Sequence, residues 1–242
     1  MRSTEVLSPY PGARPSRHAR VWLARDAWRE HLCSSHDAHT LAALDRWIAT
    51  NRPAVARRRD VGAHDAGAVD AITGDVCALA IALPLAQDRA RVAFTVSSCA
   101  VVRIAPPLRL DEVIASAPTA WQAALEDLVV RGKRTATSFR VYGSLAWQHI
   151  AGEACVTPDS DVDLLWAGRD ASHIERTLEL LVAWERESGL RADGELLLGE
   201  GDGPGSACAW RELLGGPARV LVKTDDGVAM RPSPLRAAQK SA

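Results

Sequence analysis

The chain has 242 residues, of which 47% are hydrophobic and 24% charged, with a net charge of −1. That length holds one large domain or two small ones with real cores, and the composition excludes a disordered chain. The near-zero charge argues against bulk electrostatic binding to nucleic acid, and no apolar run approaches the roughly 20 residues that span a bilayer.

The opening segment "MRSTEVLSPYPGARPSRHAR" has no apolar core behind its charges. It is not expected to be a secretory signal, and residues 1–19 read as a disordered lead-in. "ARVWLA", Ala19 to Ala24, is a short strand or turn. "HLCSSHDAH" gathers His31, Cys33, His36 and His39, but their spacing fits no structural zinc pattern and the stretch reads as a polar loop. "TLAALDRWIATN" sets Leu41, Leu44, Trp47 and Ile48 at helical spacing. "DVCALAIALP" and "RVAFTVSSCAVVRIA" read as strands, rich in β-branched residues and bounded by proline. Pro106-Pro107 ends this region, and helices are expected over Leu110–Ala115 and Thr119–Val130. A boundary near residue 115 would leave a smaller N-terminal α/β domain over residues 20–115. The five cysteines, Cys33, Cys77, Cys99, Cys155 and Cys208, are scattered and form no C-x-x-C pair. Reduced thiols in the cytoplasm are the expectation.

The second half, residues 116–232, is patterned as β-α-β-α-β-β-β, an α+β domain with a mixed sheet and helices. "SFRVYG" is a strand ending in a glycine turn, and "SLAWQHIAG" a helix from Ser144 to Gly152. "DVDLLWA" is the next strand. "SHIERTLELLVAWERESG" is an amphipathic helix with Ile174, Leu178, Leu181 and Trp184 or Val182 on its apolar face. Ser172 and Glu175 predict a capping box at its start. "RADGELLLG", "SACAWREL" and "RVLVKT" read as three further strands. A polar tail is expected from about residue 231, with residues 233–242 outside the domain.

Two aspartates, Asp161 and Asp163, stand two apart on the "DVDLLWA" strand, so their side chains share a face. Val162, Leu164 and Trp166 point the other way, toward a core. Two close carboxylates repel unless protons or cations intervene. A divalent magnesium ion is the expected solution, because it favours carboxylate oxygens and leaves positions open for phosphate. Gly143-Ser144 stands at a strand-to-helix turn, where glycine admits a ligand close to the backbone and the helix start offers free N–H groups. Together these parts suit attack on the α-phosphorus of a triphosphate with diphosphate leaving. "RADGELL" offers Asp193 or Glu195 as a third acid, either a metal ligand or the base for the attacking hydroxyl. Glu212, in "WREL", is a weaker candidate.

These motifs resemble the polymerase-beta-type nucleotidyltransferase superfamily in "GS…SDVDLL". The longer series "VYGSLAWQHIAG…DSDVDLL", "RADGEL", "AWREL" and "VLVKTDDGVAM", over roughly residues 118–232, resembles one family within it. That family is the phosphoribosyl-dephospho-CoA transferases, or malonate decarboxylase holo-acyl-carrier-protein synthases. The resemblance implies a C-terminal nucleotidyltransferase domain that moves a phosphoribosyl-dephospho-CoA unit. The donor would be 2'-(5''-triphosphoribosyl)-3'-dephospho-CoA and the acceptor a serine of the malonate decarboxylase acyl carrier protein. It also implies catalytic roles for Asp161 and Asp163 and a triphosphate contact at Gly143 and Ser144. The N-terminal domain would recognise carrier or donor.

Basic residues add to this expectation. "RGKRTATSFR" carries Arg131, Lys133, Arg134 and Arg140 with no acid among them, and is assigned to phosphate; "NRPAVARRRD" carries Arg52, Arg57, Arg58 and Arg59 and is assigned to the carrier. Lys223 alternates away from Val220 and Val222 and could face the site. His149 reads as a packing or capping histidine. Trp147, Trp166, Trp184 and Trp210 read as core. Rival readings are a nucleotidyltransferase that modifies a small molecule or another protein from a nucleoside triphosphate, and a binding module that has lost turnover. The four intact acids speak against the last.

Overall fold

A computed structural model describes residues 15–32, 36–58, 76–199, 205–225 and 227–236. The chain forms two compact units, Met1–Pro107 with Ile150–Cys155, and Leu108–His149 with Val156–Ala242.

The first unit carries a five-stranded sheet in the order β4-β3-β2-β1-β5. Its strands are β1 (Arg20–Leu23), β2 (Ala54–Ala56), β3 (Val76–Ala82), β4 (Arg91–Ser97) and β5 (Val101–Ala105). Every pairing is antiparallel, so helices and strands are segregated in the α+β manner. The stretch "RVAFTVSSCAVVRIA" is not one strand. A tight 3-10 turn over Ser98–Ala100 splits it, sending β4 to one edge of the sheet and β5 to the other. Val92, Phe94 and Val96 alternate inward along β4. Two helices follow β1: α1 (Arg25–Leu32), most of which lies where the sequence pattern marks no element, and α2 (Ala38–Ala49). Asp37 caps α2, accepting the Thr40 N–H at 2.9 Å, and those contacts hold its carboxyl below the usual range. Leu44 and Trp47 are buried, and the Trp47 indole donates to Pro53 O at 3.1 Å. His39 lies in α2, while Cys33 falls outside the described residues.

Part of the basic run "NRPAVARRRD" is sheet. Ala54–Ala56 is β2, Arg57 N–H donates to Ala78 O, and Arg52 lies over the Trp47 ring at 5.3 Å. Arg59 lies outside the described residues. The expected lead-in is structured at its end: Ala19 N–H bonds Ser16 O, and His18 N–H bonds Ala56 O.

The second unit holds a seven-stranded sheet in the order β12-β11-β10-β9-β8-β7-β6. The strands are β6 (Leu108–Arg109), β7 (Arg140–Val141), β8 (Val162–Ala167), β9 (Ala192–Leu197), β10 (Ala207–Ala209), β11 (Arg219–Lys223) and β12 (Val228–Pro232). Its helices are α3 (Leu110–Val113), α4 (Thr119–Thr135), α5 (Gly143–Ala151, up to His149) and α6 (Ala171–Ser188). Strands β8 and β9 are parallel, joined through α6, and all other pairs are antiparallel. The sheet is therefore mixed. Val162, Leu164, Trp166, Leu196, Cys208 and Val222 fill one face and are essentially inaccessible. Helix α6 covers that face, with His173 edge-on to Trp166 at 6.5 Å. Helix α4 packs beside α6, and the Trp184 indole donates to Ala124 O at 2.8 Å.

Four local readings are corrected. Asp170, not Ser172, caps α6: its carboxylate accepts the His173 N–H at 2.7 Å, while Ser172 lies in the first turn and receives Arg176. A carboxylate is the stronger partner for the positive end of the helix. Trp184 is in the core and Val182 is exposed, but His173 and Thr177 are buried among the apolar residues. "SACAWREL" is a strand only over Ala207–Ala209 and then turns into a 3-10 segment, because Trp210 is drawn into the core. The chain expected to become a tail near 231 forms β12, whose residues are all exposed and so carry no apolar alternation.

Candidate active site

The register of β8 against β9 sets the site. Asp163 is the partner of Asp193, and Leu165 the partner of Glu195. Partners in a pleated pair point to the same face, so Asp163, Asp193 and Glu195 share the face opposite the α6 core, with Asp161 two residues before Asp163. The register is fixed because Val162 and Leu164, both 0% exposed, leave no room for a one-residue slip.

Glycines allow the close approaches. Gly194 has φ +134, and a β-carbon there would stand 2.7 Å from the Leu164 backbone nitrogen. Only glycine lets β9 lie this close to β8. Gly143, with φ +63, opens α5, and its missing β-carbon leaves the space taken by the Asp163 carboxylate. Tyr142 N–H donates to Asp163 O at 3.1 Å and holds the turn on the strand. The positive end of α5, with Ser144 in its first turn, thus meets Asp163.

The acids have different surroundings. Asp161 lies 3.5 Å from Arg191, which is two-thirds exposed, so the pair contributes little. One oxygen of Asp193 accepts the Gly194 N–H at 2.8 Å. Glu195 is 4% exposed and its Oε1 lies 3.1 Å from Lys223 Nζ. Arg140 is half-buried on the same face, in register with Leu165, and burial pushes its pKa down. Beside it in β6, Arg109 grips Asp111 through two bonds of 2.8 and 2.7 Å, which holds the Asp111 carboxyl below its usual range.

Other sequence candidates lie elsewhere. Arg131 is occupied by Asp127 at 2.7 Å and Glu187 at 2.6 Å. The basic stretch has no acid of its own, but the fold supplies two, one a helical turn earlier and one from α6. Lys133 lines a cavity of about 260 Å³ with Arg109, Asp111, Thr137 and Phe139. Glu212 accepts the Leu221 N–H at 3.0 Å, in the middle of β11. His149 Nδ1 lies 2.8 Å from Ser116 Oγ, within hydrogen-bond distance. Trp166, Trp184 and Trp210 are core, whereas Trp147 on α5 is only partly buried.

Sequence reasoning missed one support. Glu185 of α6 accepts the Ala192 N–H at 2.6 Å and pairs with Arg211, whose guanidinium donates to Ala192 O at 2.7 Å. The residue before Asp193 is thus held from both sides. The three partners come from separate elements, and no spacing links them.

Among the described residues no group of three or more His, Cys, Asp or Glu side chains is arranged to hold a metal ion. Asp161 and Asp163 do offer a hard oxygen pair, the donor set with which magnesium binds when phosphates and water complete its shell. Among the described residues, no helix is long and apolar enough to cross a membrane.

Residues 108–234 match the family model described as the phosphoribosyl-dephospho-CoA transferase MdcG C-terminal domain. Three relatives are each named phosphoribosyl-dephospho-CoA transferase. The one from Xanthomonas campestris pv. campestris is 39% identical, over 89% of this chain and 93% of its own. That from Xanthomonas euvesicatoria pv. vesicatoria is 35% identical over the same shares. That from Bradyrhizobium diazoefficiens is 34% identical over 89% of each chain. No solved structure matches. With the relatives aligned across both units and the family model spanning the acid face, the chain belongs to the phosphoribosyl-dephospho-CoA transferase family.

Proposed function

We propose that this protein transfers the phosphoribosyl-dephospho-CoA unit of triphosphoribosyl-dephospho-CoA to a serine of the malonate decarboxylase acyl carrier protein. The serine oxygen attacks the α-phosphorus, the bond from that phosphorus to the bridging oxygen breaks, and diphosphate leaves with the electron pair. A phosphodiester forms, and the hydroxyl proton passes to a carboxylate of the site face, Asp193 or Glu195. Gly143 and Ser144 hold triphosphate oxygens on the first N–H groups of α5, and Arg140 and Lys223 supply positive charge on the same face.

Asp161 and Asp163 would hold Mg2+, which when bound neutralises phosphate oxygens and the charge gathering on the leaving diphosphate. The observation that carries this reading is the seating of the Asp163 carboxylate against Gly143, which joins the acid pair to the start of α5. Family membership supports the donor. The first unit is assigned to recognition, with Arg57 and Arg58 facing the carrier.

Mass spectrometry of the carrier after incubation tests the reading. An added mass equal to phosphoribosyl-dephospho-CoA is expected. An AMP-sized adduct would move the protein to the nucleoside triphosphate users, and no adduct on carrier or any other acceptor would leave a binding module.

A further inference from the structure

We infer that Glu195 is a positioning residue rather than the third acid: its buried carboxylate holds Lys223 in place to receive the departing diphosphate. This rests on the transfer reaction proposed above.

The two residues belong to strands that are not neighbours. Glu195 lies on β9 and Lys223 on β11, with β10 between them. Two strand spacings of about 4.8 Å and an offset of two residues along the strands set their backbones about 12 Å apart, a gap that a lysine and a glutamate can close only by reaching toward each other. They meet at 3.1 Å. The strand they cross makes this possible, since Glu195 is the partner of Ala209 and Lys223 the partner of Ala207. On this face β10 offers only two methyl groups, and Cys208 between them turns to the core. Larger side chains at 207 or 209 would stand in the path.

The reach has a direction. Lys223 is partly exposed at its own strand, while Glu195 is 4% exposed. The lysine therefore comes to the glutamate, and its ammonium is carried to β9, one strand from Asp163. A buried carboxylate paired with a cation is costly to separate, so this carboxylate is poorly suited to accept a proton or to change partners each turnover. Asp193 has the opposite character: it is partly exposed, directly across from Asp163, and bonded through Oδ1 to its neighbour's N–H. The third acid is then Asp193. A lysine ammonium is a compact charge suited to phosphate oxygens, and fixing it beforehand removes the rotamer entropy that a free lysine loses on binding.

Equilibrium binding of inorganic diphosphate to the full chain, with magnesium present, tests the pair without turnover. Glu195→Gln and Lys223→Met should each weaken binding by about tenfold, the size of one charge-assisted contact. The double variant should be no weaker than Lys223→Met alone, and Lys223→Arg should recover most of the loss. In the carrier assay Glu195→Gln should keep measurable turnover, with Asp193→Asn far lower. The inference is overturned if Glu195→Gln binds diphosphate like wild type, or if it loses turnover as fully as Asp163→Asn. Wild-type protein that leaves the carrier unmodified would instead sink the transfer reaction, and the diphosphate titrations would still report on the pair.

Discussion

The carboxylate of Asp163 occupies the space where a β-carbon of Gly143 would stand. Two consequences follow for Gly143→Ala. The left-handed backbone costs alanine about 1–2 kcal/mol, which lowers the unfolding temperature by several degrees. The new methyl group also displaces the carboxylate, and misplacing a reacting group by about 1 Å costs about a hundredfold in rate. Thermal unfolding and diphosphate release, measured together, should show a folded protein with strongly reduced turnover. Wild-type turnover in this variant would contradict the contact's role.

The acid pair makes a separate prediction. Asp161→Asn and Asp163→Asn should each lower diphosphate release by about a thousandfold or more, and chelation by EDTA should abolish it until magnesium is restored. Arg191, which lies 3.5 Å from Asp161 but is two-thirds exposed, provides the control. Arg191→Ala should stay within about twofold of wild type, as expected for an exposed ion pair. Release that persists in Asp161→Asn, or in EDTA, would remove the metal from the mechanism.

Much of this site could be read from period and spacing. Asp163, Asp193 and Glu195 share a face because strands alternate, and Val162 and Leu164, which flank Asp163, are the apolar residues that lock the register. Lys223 followed from the same alternation. Pairings between distant elements were not legible. Nothing near Arg131 names Glu187 as its partner, and nothing near Ala192 names Glu185 and Arg211. Exposed β12 and the two-residue β6 escaped notice because neither buries a pattern long enough to show a period. Trp210 read as part of a strand because a buried aromatic looks the same in a strand and in the 3-10 turn that follows it.

The Glu185–Arg211 clasp should act on rate through Asp193. Arg211→Met removes the donor to Ala192 O and leaves Glu185 without its cation. Hydrogen bonds to charged groups contribute about 1.5–3 kcal/mol, and with Arg211 about a third exposed the lower end applies. The Ala192 amide should exchange its hydrogen faster, and kcat should fall with KM for the donor little changed. Glu185→Gln should be milder, since its amide oxygen can still accept the Ala192 N–H. Equal exchange rates in Arg211→Met and wild type would show that the clasp does not hold β9.

His173 gives the fold a pH dependence of definite sign. The ring is 1% exposed beneath the sheet, with Nε2 3.1 Å from Thr137 Oγ1 and the Arg169 N–H approaching Nδ1 at 3.4 Å. Burial pushes its pKa below the ordinary value of 6.5; Arg169 and Arg176 push the same way, and Asp170 opposes them. The folded state therefore keeps the ring neutral where the unfolded chain takes up a proton. Stability from this residue is complete above about pH 6.5 and is lost as pH falls below it. The carboxylates held below their usual range, Asp111 among them, lose their share only in more acidic solution. Urea midpoints should therefore drop between pH 7.5 and 5.5, and His173→Gln, which can still reach Thr137, should show a smaller drop. An equal fall in both proteins would place the sensitivity elsewhere.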